Sequence, residues 1–289
     1  MVLKGARRVG KTWLMKEFGK NYYKSFVYFN FDEEDGLKSI FETNKNPQRI
    51  IELLSMIAGE KIYPEDTLII FDEVQECPEV LNALKYFKEK ANEYHVIAAG
   101  SLLGTLLAKP KSYPVGMVNL LDIFPLTFEE FLEATDAPLF AYYEGIHKEQ
   151  QIEEIFHNRL LEAYNNYLII GGMPECVSSW LKQMAGVDNS AILLKSTYQF
   201  KGPLTENYVL QQLRGQFDVM PRYFSSRNGE IDFVLQCGMD IIPVETKGGE
   251  DKSAPTFKKY VTDNHPQYAV RFSKMGYRKD GNITNIPLY

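Results

Sequence analysis

The chain has 289 residues, of which 45% are hydrophobic, with 18 Tyr, 18 Phe and a formal net charge of −6. This length allows two domains, and the aromatic content excludes disorder over most of the chain. The negative charge argues against a surface coated with nucleic acid along its whole extent, although a local basic groove is compatible with it. Basic residues predominate over residues 1–24 and 252–289, and acids over 122–162, which suits a protein that meets phosphates at two separate places.

The three cysteines, Cys77, Cys176 and Cys237, lie far apart and show no paired spacing. The sequence therefore favours reduced core thiols over a disulfide framework or a zinc site. The N-terminus shows no signal-peptide pattern, and no apolar run approaches the roughly 18 residues that a membrane span needs. We expect a soluble, cytoplasmic protein with no membrane partner.

Short apolar runs alternate with helical patterns over the first half of the chain. The runs predict buried strands at 2–3, 26–29, 67–71 and 96–99, and the patterns between them predict helices at 11–19, 46–58 and 78–91. Two of these helices would start with a proline at the first helical position, after Asn46 and Cys77. Strands that alternate with helices predict an α/β fold with a parallel sheet covered on both faces.

The second half of the chain has a different pattern. From Thr127 to about residue 182 it is mostly helical, and 171–174 interrupts it. Alternation with period two returns at 230–235, and a second strand follows at 241–247, which predicts a second α/β unit. We expect three segments: a core over 1–135, a helical lid or linker over 136–190, and the second α/β domain over 191–289.

A glycine-rich motif stands at the start of the chain and matches G-x-x-x-x-G-K-[ST] at every required position. Its residues are Gly5, Ala6, Arg7, Arg8, Val9, Gly10, Lys11 and Thr12. The glycines let backbone N–H groups wrap phosphates at the start of a helix. Lys11 would meet the β- and γ-phosphates, and Thr12 would offer its hydroxyl to Mg²⁺. The motif therefore predicts a P-loop that binds ATP with Mg²⁺.

Two further strands end in residues that suit ATP hydrolysis. The strand over 67–71 is followed by Asp72 and Glu73, as a Walker B strand would be. Asp72 would hold Mg²⁺, and Glu73 would act as general base on the attacking water. Ser101 follows the next strand, where it either senses the water or γ-phosphate or caps a helix at 102–105. Lys11, Glu73 and Ser101 are the predicted catalytic residues, and tyrosines such as Tyr28 are interpreted as packing residues.

Several segments together resemble a family of prokaryotic AAA+-type ATPases. They are GARRVGKT at 5–12, FDEVQ at 71–75, AGSLLG at 99–104, FPLTFEEF at 124–131 and GGMPE at 171–175. In that family the ATPase is followed by a domain of uncharacterised function that looks like a PD-(D/E)XK nuclease, and residues 200–209 look like its start. The resemblance implies a P-loop NTPase sheet with a helical lid, followed by a smaller restriction-endonuclease-like α/β domain. Against the family pattern the chain looks shortened before the P-loop and after GGMPE.

A second candidate site lies in the C-terminal half, where Asp232 and Glu245-x-Lys247 form a D…E-x-K pattern. If residues 238–239 make a type II′ turn, Asp232 lies across from Glu245, with Cβ atoms about 4.5–5.5 Å apart. Carboxylates that close repel unless a cation lies between them, so the pattern predicts a metal site with Lys247 beside it. By resemblance to the family, Glu206 would supply a further acid. The alternative is a solvated strand face with ion pairs such as Glu230 with Lys247.

Three functions stay open on the sequence alone. In the first, ATP turnover governs a C-terminal domain that binds DNA or RNA, with or without nuclease activity. In the second, ATP binding operates a regulatory switch, and a non-catalytic nuclease-like domain binds a protein partner. In the third, the chain folds but hydrolyses nothing. Because a neighbouring subunit can supply an arginine finger, a homo-oligomer is a further expected assembly.

Overall fold

The computed structural model describes residues 1–101, 116–147, 152–184, 201–217, 219–226, 229–248 and 254–289. The chain forms two compact units, Met1–Phe124 and Pro125–Tyr289. This single division differs from the three segments expected from the sequence, because the helices after Thr127 fall in the same unit as the C-terminal sheet. The predicted helix at 102–105 and the stretch 185–200 lie outside the described residues.

The first unit is built on a five-stranded parallel sheet with the strand order β2-β3-β4-β1-β5. Its strands are β1 Val2–Lys4, β2 Ser25–Asn30, β3 Thr67–Asp72, β4 Val96–Gly100 and β5 Leu120–Asp122. The four strands predicted from apolar runs are confirmed. Strand β5 was not predicted, because it is only three residues long and all three are exposed.

The described residues of the first unit also form α-helices: α1 Lys11–Tyr22, α2 Asp35–Thr43, α3 Pro47–Ala58 and α4 Pro78–Lys90. As predicted, α3 begins at a proline, and Asn46 caps it by accepting a hydrogen bond from the Gln48 N–H at 3.1 Å. Cys77 stands in the same place before α4 but makes no side-chain cap. Cys77 is buried, whereas Cys176 and Cys237 are exposed, so the expectation of core thiols was wrong for two of the three.

Strand β3 shows why the sheet is covered on both faces. All six of its residues are buried, and alternate side chains enter different clusters. Ile69 and Phe71 pack in one cluster, and Leu68 and Ile70 pack in the other with Met15 of α1. A parallel strand buried on both faces reads as a continuous apolar run, which is the pattern of this segment.

The second unit begins with a group of helices: α5 Phe128–Thr135, α6 Ala137–Glu144, α7 Glu154–Ile170, α8 Pro174–Met184 and α9 Lys201–Gln216. A capping box starts α5, in which Thr127 and Glu130 each bond the other's backbone N–H. The core of this group is aromatic: Phe128, Phe131, Tyr164 and Tyr167 are all nearly fully buried. The helical character predicted for this segment is confirmed.

The segments FPLT and GGMP meet in one tightly packed junction of the second unit. The Leu126 N–H donates to the Gly172 carbonyl at 2.7 Å, and the Leu126 carbonyl accepts from the Tyr167 hydroxyl at 2.5 Å. Gln211 of α9 donates to the same Leu126 carbonyl at 3.1 Å. A Cβ on Gly172 would lie 2.1 Å from the Leu126 oxygen, so only glycine fits. The glycine-rich interruption therefore has a structural explanation.

A six-stranded mixed sheet follows, with the order β10-β11-β9-β8-β7-β6. Its strands are β6 Arg222–Ser226, β7 Gly229–Cys237, β8 Asp240–Lys247, β9 Ala269–Ser273, β10 Arg278–Asp280 and β11 Ile283–Pro287, with the helix α10 Pro255–Asn264 between β8 and β9. Cys237 pairs with Asp240 across the predicted turn, and Gly238 has the positive φ of 63° that a type II′ turn needs at its first position.

Replacing Gly172 by alanine tests the junction. Because the new methyl group would meet a backbone carbonyl that cannot rotate away, we expect Gly172→Ala to lower the free energy of unfolding by about 3 kcal/mol, the upper end of over-packing costs. Chemical denaturation measures the loss. The matched control is Gly202→Ala on α9, which meets nothing within 4 Å and should not destabilise the protein. Equal stability of the two variants would contradict this account of the junction.

Candidate functional site

The loop between β1 and α1 forms an open cradle of backbone groups. Arg8 and Gly10 both adopt positive φ, at 66° and 94°, and so curve the loop backbone just before the helix starts. Gly10 is the N-cap residue of α1 and supplies no side-chain cap. The N–H groups of the first turn of α1 therefore point toward the loop, an arrangement that attracts anions.

Gly5 allows the cradle to sit close to the chain that leaves β5. A Cβ at this position would lie 2.2 Å from the Ile123 carbonyl oxygen. The backbone is fixed there, because the Ile123 N–H donates to the Lys4 carbonyl at 2.7 Å. The first glycine of the motif is thus required by the packing of the loop. Of the other loop residues, Ala6, Arg7 and Arg8 are exposed and Val9 is buried.

Lys11 lies over the loop with only 7% of its surface exposed. Its Nζ donates to the carbonyls of Gly5 at 3.0 Å and Ala6 at 2.8 Å. Burial lowers the pKa of the Lys11 ammonium, and the negative charges of Glu73 and Asp72 act in the opposite direction. The two carbonyls thus hold a cation where an anion in the cradle would meet it.

Asp72 is a buried carboxylate that gathers hydrogen bonds from three elements. It is 2% exposed. Its Oδ2 accepts from the Thr12 hydroxyl at 2.5 Å and from the Tyr28 hydroxyl at 3.0 Å, and its Oδ1 accepts from the Glu73 N–H at 2.9 Å. The P-loop helix and the acidic strand are therefore joined directly, as the two sequence motifs led us to expect.

Tyr28 is a site residue that the sequence analysis missed, because it was interpreted as a packing residue. Burial, together with the charge and hydrogen bond of Asp72, raises the pKa of its hydroxyl, so the group stays protonated and donates. Lys16 lies over its ring, with the Nζ 3.7 Å from the ring centre. Asn30 pairs with Asp72 on the neighbouring strand, so Tyr28 lies on the strand beside the site. Knowledge of the sheet order would therefore have indicated that Tyr28 is close to Asp72.

The oxygen and nitrogen groups of this site fit Mg²⁺ and a nucleoside triphosphate. Thr12 and Asp72 contribute a hydroxyl and a carboxylate oxygen within 2.5 Å of each other, and hard oxygen ligands are those that Mg²⁺ prefers. The cradle with Lys11 supplies backbone N–H groups and a cation for phosphate oxygens. Thr12 and Asp72 would hold the metal, and Lys11 with residues 5–10 would hold the phosphates.

Glu73 follows Asp72 in a strained conformation. Its φ of 53° and ψ of 42° are left-handed, which is uncommon for a residue with a Cβ. It precedes the 3₁₀ turn Val74–Glu76, and its Oε2 accepts a hydrogen bond from Gln75 Nε2 at 2.5 Å. Because strain of this kind clusters at functional sites, it is compatible with the predicted role of Glu73 as general base.

Ser101 follows β4, which lies between β1 and β3 in the sheet. The carboxyl ends of parallel strands meet at one edge, so Ser101 is on the same edge as the cradle and Asp72. The side chain is half-buried. Its role as a sensor remains a prediction.

The second candidate site contains four charged residues that influence one another. Lys247 Nζ lies 2.6 Å from Glu245 Oε1. Burial raises the pKa of Glu245 and of Glu206, the charge of Asp232 adds to both shifts, and Lys247 opposes them. The Asp232 carboxylate contacts the residue next to Glu245. Its Oδ2 accepts hydrogen bonds from the Thr246 N–H at 2.6 Å and from the Thr246 hydroxyl at 2.7 Å. Within the described ranges, no group of three or more His, Cys, Asp or Glu is arranged to hold a metal ion.

The first unit thus combines a glycine-rich cradle before a helix, a buried acid and a parallel sheet. Comparison with protein families agrees: residues 1–132 match the AAA domain, and residues 201–289 match a domain of unknown function, DUF4143. No curated protein matches the chain. The nuclease-like fold that the resemblance implied for the second unit is not shown by these matches, and it stays a proposal.

Two solved structures are distantly similar. One is PCH-2 of C. elegans, with 12% identity and a TM-score of 0.41, over 68% of this chain and 60% of that one. The other is the Thermotoga maritima RuvB Holliday junction branch migration motor, with 12% identity and a TM-score of 0.38, over 74% of this chain and 68% of that one. The chain thus spans less than two thirds of PCH-2. In the parts of the chain that the structure describes, no helix is long and apolar enough to cross a membrane.

Replacing Tyr28 by phenylalanine tests its place in the site. The change removes one hydroxyl donor from the buried Asp72 carboxylate, and we expect MgATP affinity to fall roughly tenfold, or about 1.4 kcal/mol. Calorimetric titration measures the change. Tyr22→Phe, at a tyrosine that is 75% exposed, is the control and should bind as the wild type does. Unchanged affinity in Tyr28→Phe would show that its hydroxyl has no part in the site.

Proposed function

We propose that the protein is a Mg²⁺-dependent ATPase. The observation that carries this proposal is the 2.5 Å contact between the Thr12 hydroxyl and the buried Asp72 carboxylate, beside the Lys11 ammonium. This contact supports one shared site, in which a metal ion and the phosphate oxygens bind next to each other. Bound Mg²⁺ would neutralise charge on the phosphates and orient them.

The residues of the chain divide the remaining work. Lys11 and the backbone N–H groups of the cradle bind the phosphates and stabilise the negative charge that grows on them during phosphoryl transfer. Glu73 accepts the proton of the water that attacks the γ-phosphorus, and ADP leaves with the electrons of the broken P–O bond. Ser101, at the same edge of the sheet, contacts the water or the γ-phosphate.

Turnover is expected to depend on assembly. Arg7 and Arg8 are exposed on the cradle, where the nucleotide or a neighbouring subunit would meet them. An arginine supplied by a neighbour raises phosphoryl-transfer rates by about 10³–10⁵-fold in other P-loop proteins. We therefore propose a homo-oligomer as the active state. A cytoplasmic location accompanies the proposal, since ATP and Mg²⁺ are both available there.

Replacing Glu73 by glutamine separates binding from hydrolysis. Loss of the general base should lower ATP turnover by about 10²–10⁴-fold while MgATP still binds. Lys11→Ala should lose both, because the cation over the cradle is gone. Phosphate release measured over a range of protein concentrations, with calorimetry for binding, tests both variants. The control is Glu76→Gln, at the exposed end of the same turn; full turnover in Glu73→Gln would overturn the assignment of the base.

The second unit supports a second candidate function, the binding and cleavage of nucleic acid. The supporting observation is that Lys247 Nζ lies 2.6 Å from Glu245 Oε1, while burial and the charge of Asp232 raise the pKa of both the Glu206 and the Glu245 carboxyl. Such carboxylates would hold the divalent metal that assists phosphodiester hydrolysis, and the lysine would steady the charge that develops. The alternative is a non-catalytic domain that binds a protein partner when ATP is bound. If the hydrogen bonds from Thr246 to Asp232 rearrange when a metal is added, the metal-dependent nuclease is favoured over the protein-binding domain.

Replacing Asp232 by alanine tests the second candidate function. If the unit is a nuclease, Asp232→Ala should abolish Mg²⁺- or Mn²⁺-dependent cleavage of DNA or RNA and leave ATP turnover intact, since Asp232 lies outside the ATPase unit. Gel assays with single- and double-stranded substrates at low salt provide the measurement. Asp240→Ala, on the exposed hairpin, is the control. Absence of cleavage by the wild type favours the non-catalytic alternative, whereas equal cleavage by wild type and Asp232→Ala would refute the second site.

A further inference from the structure

Gln75 stands two residues after Glu73 and is in direct contact with it. Its Nε2 donates to Glu73 Oε2 at 2.5 Å, a short hydrogen bond to a carboxylate. Hydrogen bonds to charged acceptors are the strong ones, and this one restrains the rotation of the Glu73 carboxylate about its side-chain bonds. The 3₁₀ turn Val74–Glu76 brings the two side chains together within a span of three residues.

The other end of the Gln75 amide is left without a partner. Its Oε1 is buried, and no donor among the described residues lies within hydrogen-bonding distance. Turning the amide over would not help, because it would aim that oxygen at the Glu73 carboxylate, which only accepts. Among the described residues, the Gln75 amide therefore makes its hydrogen bond through Nε2 to Glu73.

A glutamine whose purpose is packing would be expected to satisfy both ends of its amide or to be replaced by an apolar residue. Here the satisfied end is the one that contacts the candidate base. The Glu73 backbone is also left-handed, so a strained main chain and the Gln75 contact both act on the position of the Glu73 carboxylate. The left-handed backbone of Glu73 and the contact from Gln75, two residues further on, together indicate that the orientation of Glu73 matters to the function.

We propose that Gln75 is a positioning residue, whose amide holds the Glu73 carboxylate in the orientation that accepts the proton of the attacking water. This inference rests on the proposed ATPase function. Gln75 takes no proton and touches no substrate, and its effect passes entirely through Glu73. Geometry of this kind governs the efficiency of a general base, since proton transfer requires hydrogen-bond reach.

Gln75→Leu is the first test, because leucine has a similar size and removes both the donor and the unpaired acceptor. We expect ATP turnover to fall about tenfold or more, with the affinity for MgATP within about twofold and the melting temperature not lowered. Gln75→Glu, which keeps the length but loses the donor, should lose turnover in the same way. Gln48→Leu, at an exposed glutamine of α3, is the control and should keep full turnover.

A double-mutant cycle isolates the path of the effect. If Gln75 acts through Glu73, adding Gln75→Leu to Glu73→Gln should cause no further loss of residual turnover. A readout without nucleotide is also available: the side-chain N–H resonances of Gln75 should shift in Glu73→Gln, where the charged acceptor is replaced. That shift checks the contact without nucleotide: absence of ATP hydrolysis with the shift present would defeat the proposed function, whereas absence of the shift would defeat the role of Gln75 itself.

Three results would overturn the inference: wild-type turnover in Gln75→Leu, an equal fractional loss in the Glu73→Gln background, or Gln75 resonances that ignore the Glu73 substitution. A loss of turnover that comes with lower stability and weaker ATP binding would also overturn it, because it would indicate a structural role.

Discussion

The buried carboxylate of Asp72 is the constraint on which the candidate site depends. It is nearly inaccessible to water, and it accepts hydrogen bonds from Thr12 of the P-loop helix, Tyr28 of the neighbouring strand and its own successor Glu73. A buried charge is expensive unless it is paired or coordinates a metal. These donors are neutral, so the arrangement keeps a negative charge ready for a cation, while Lys11 nearby is held by loop carbonyls. The parallel sheet makes this possible, because it brings the ends of β1, β3 and β4 to one edge.

Much of the first unit could be predicted from the sequence, because its signals are local. Buried strands of a parallel sheet are apolar runs, and a proline after Asn46 marks a helix start within two residues. The motif at 5–12 needs no long-range information either. Contacts between distant residues could not be predicted, such as that of Tyr28 with Asp72 across neighbouring strands. Strand β5 was missed as well, because its two leucines are too short a run to mark a strand and it is placed by pairing with β1. The partnership of Gln75 with Glu73 was also missed, since no pattern of apolar residues reports a side-chain hydrogen bond.

The second unit shows both the strength and the limit of turn chemistry as a predictor. The hairpin at Gly238 was predicted with its register, because the turn type fixes which residues pair, and Cys237 does pair with Asp240. The orientation of the Asp232 carboxylate was not predicted, because it accepts two hydrogen bonds from Thr246 that the strand register does not reveal. The helices expected to form a separate lid instead share an aromatic core with α9 and the C-terminal residues Leu288 and Tyr289. The division into segments was drawn from helical pattern, which does not show which surface the helices bury.

The most direct test of the account is a calorimetric titration of the intact, folded protein with ATP, with and without Mg²⁺. We expect a single saturable site whose affinity increases when Mg²⁺ is present, since Thr12 and Asp72 would hold the metal and Lys11 would hold the phosphates. Absence of any binding heat at millimolar ATP and Mg²⁺, from protein shown to be folded by circular dichroism, would contradict the assignment of the cradle and the functions built on it.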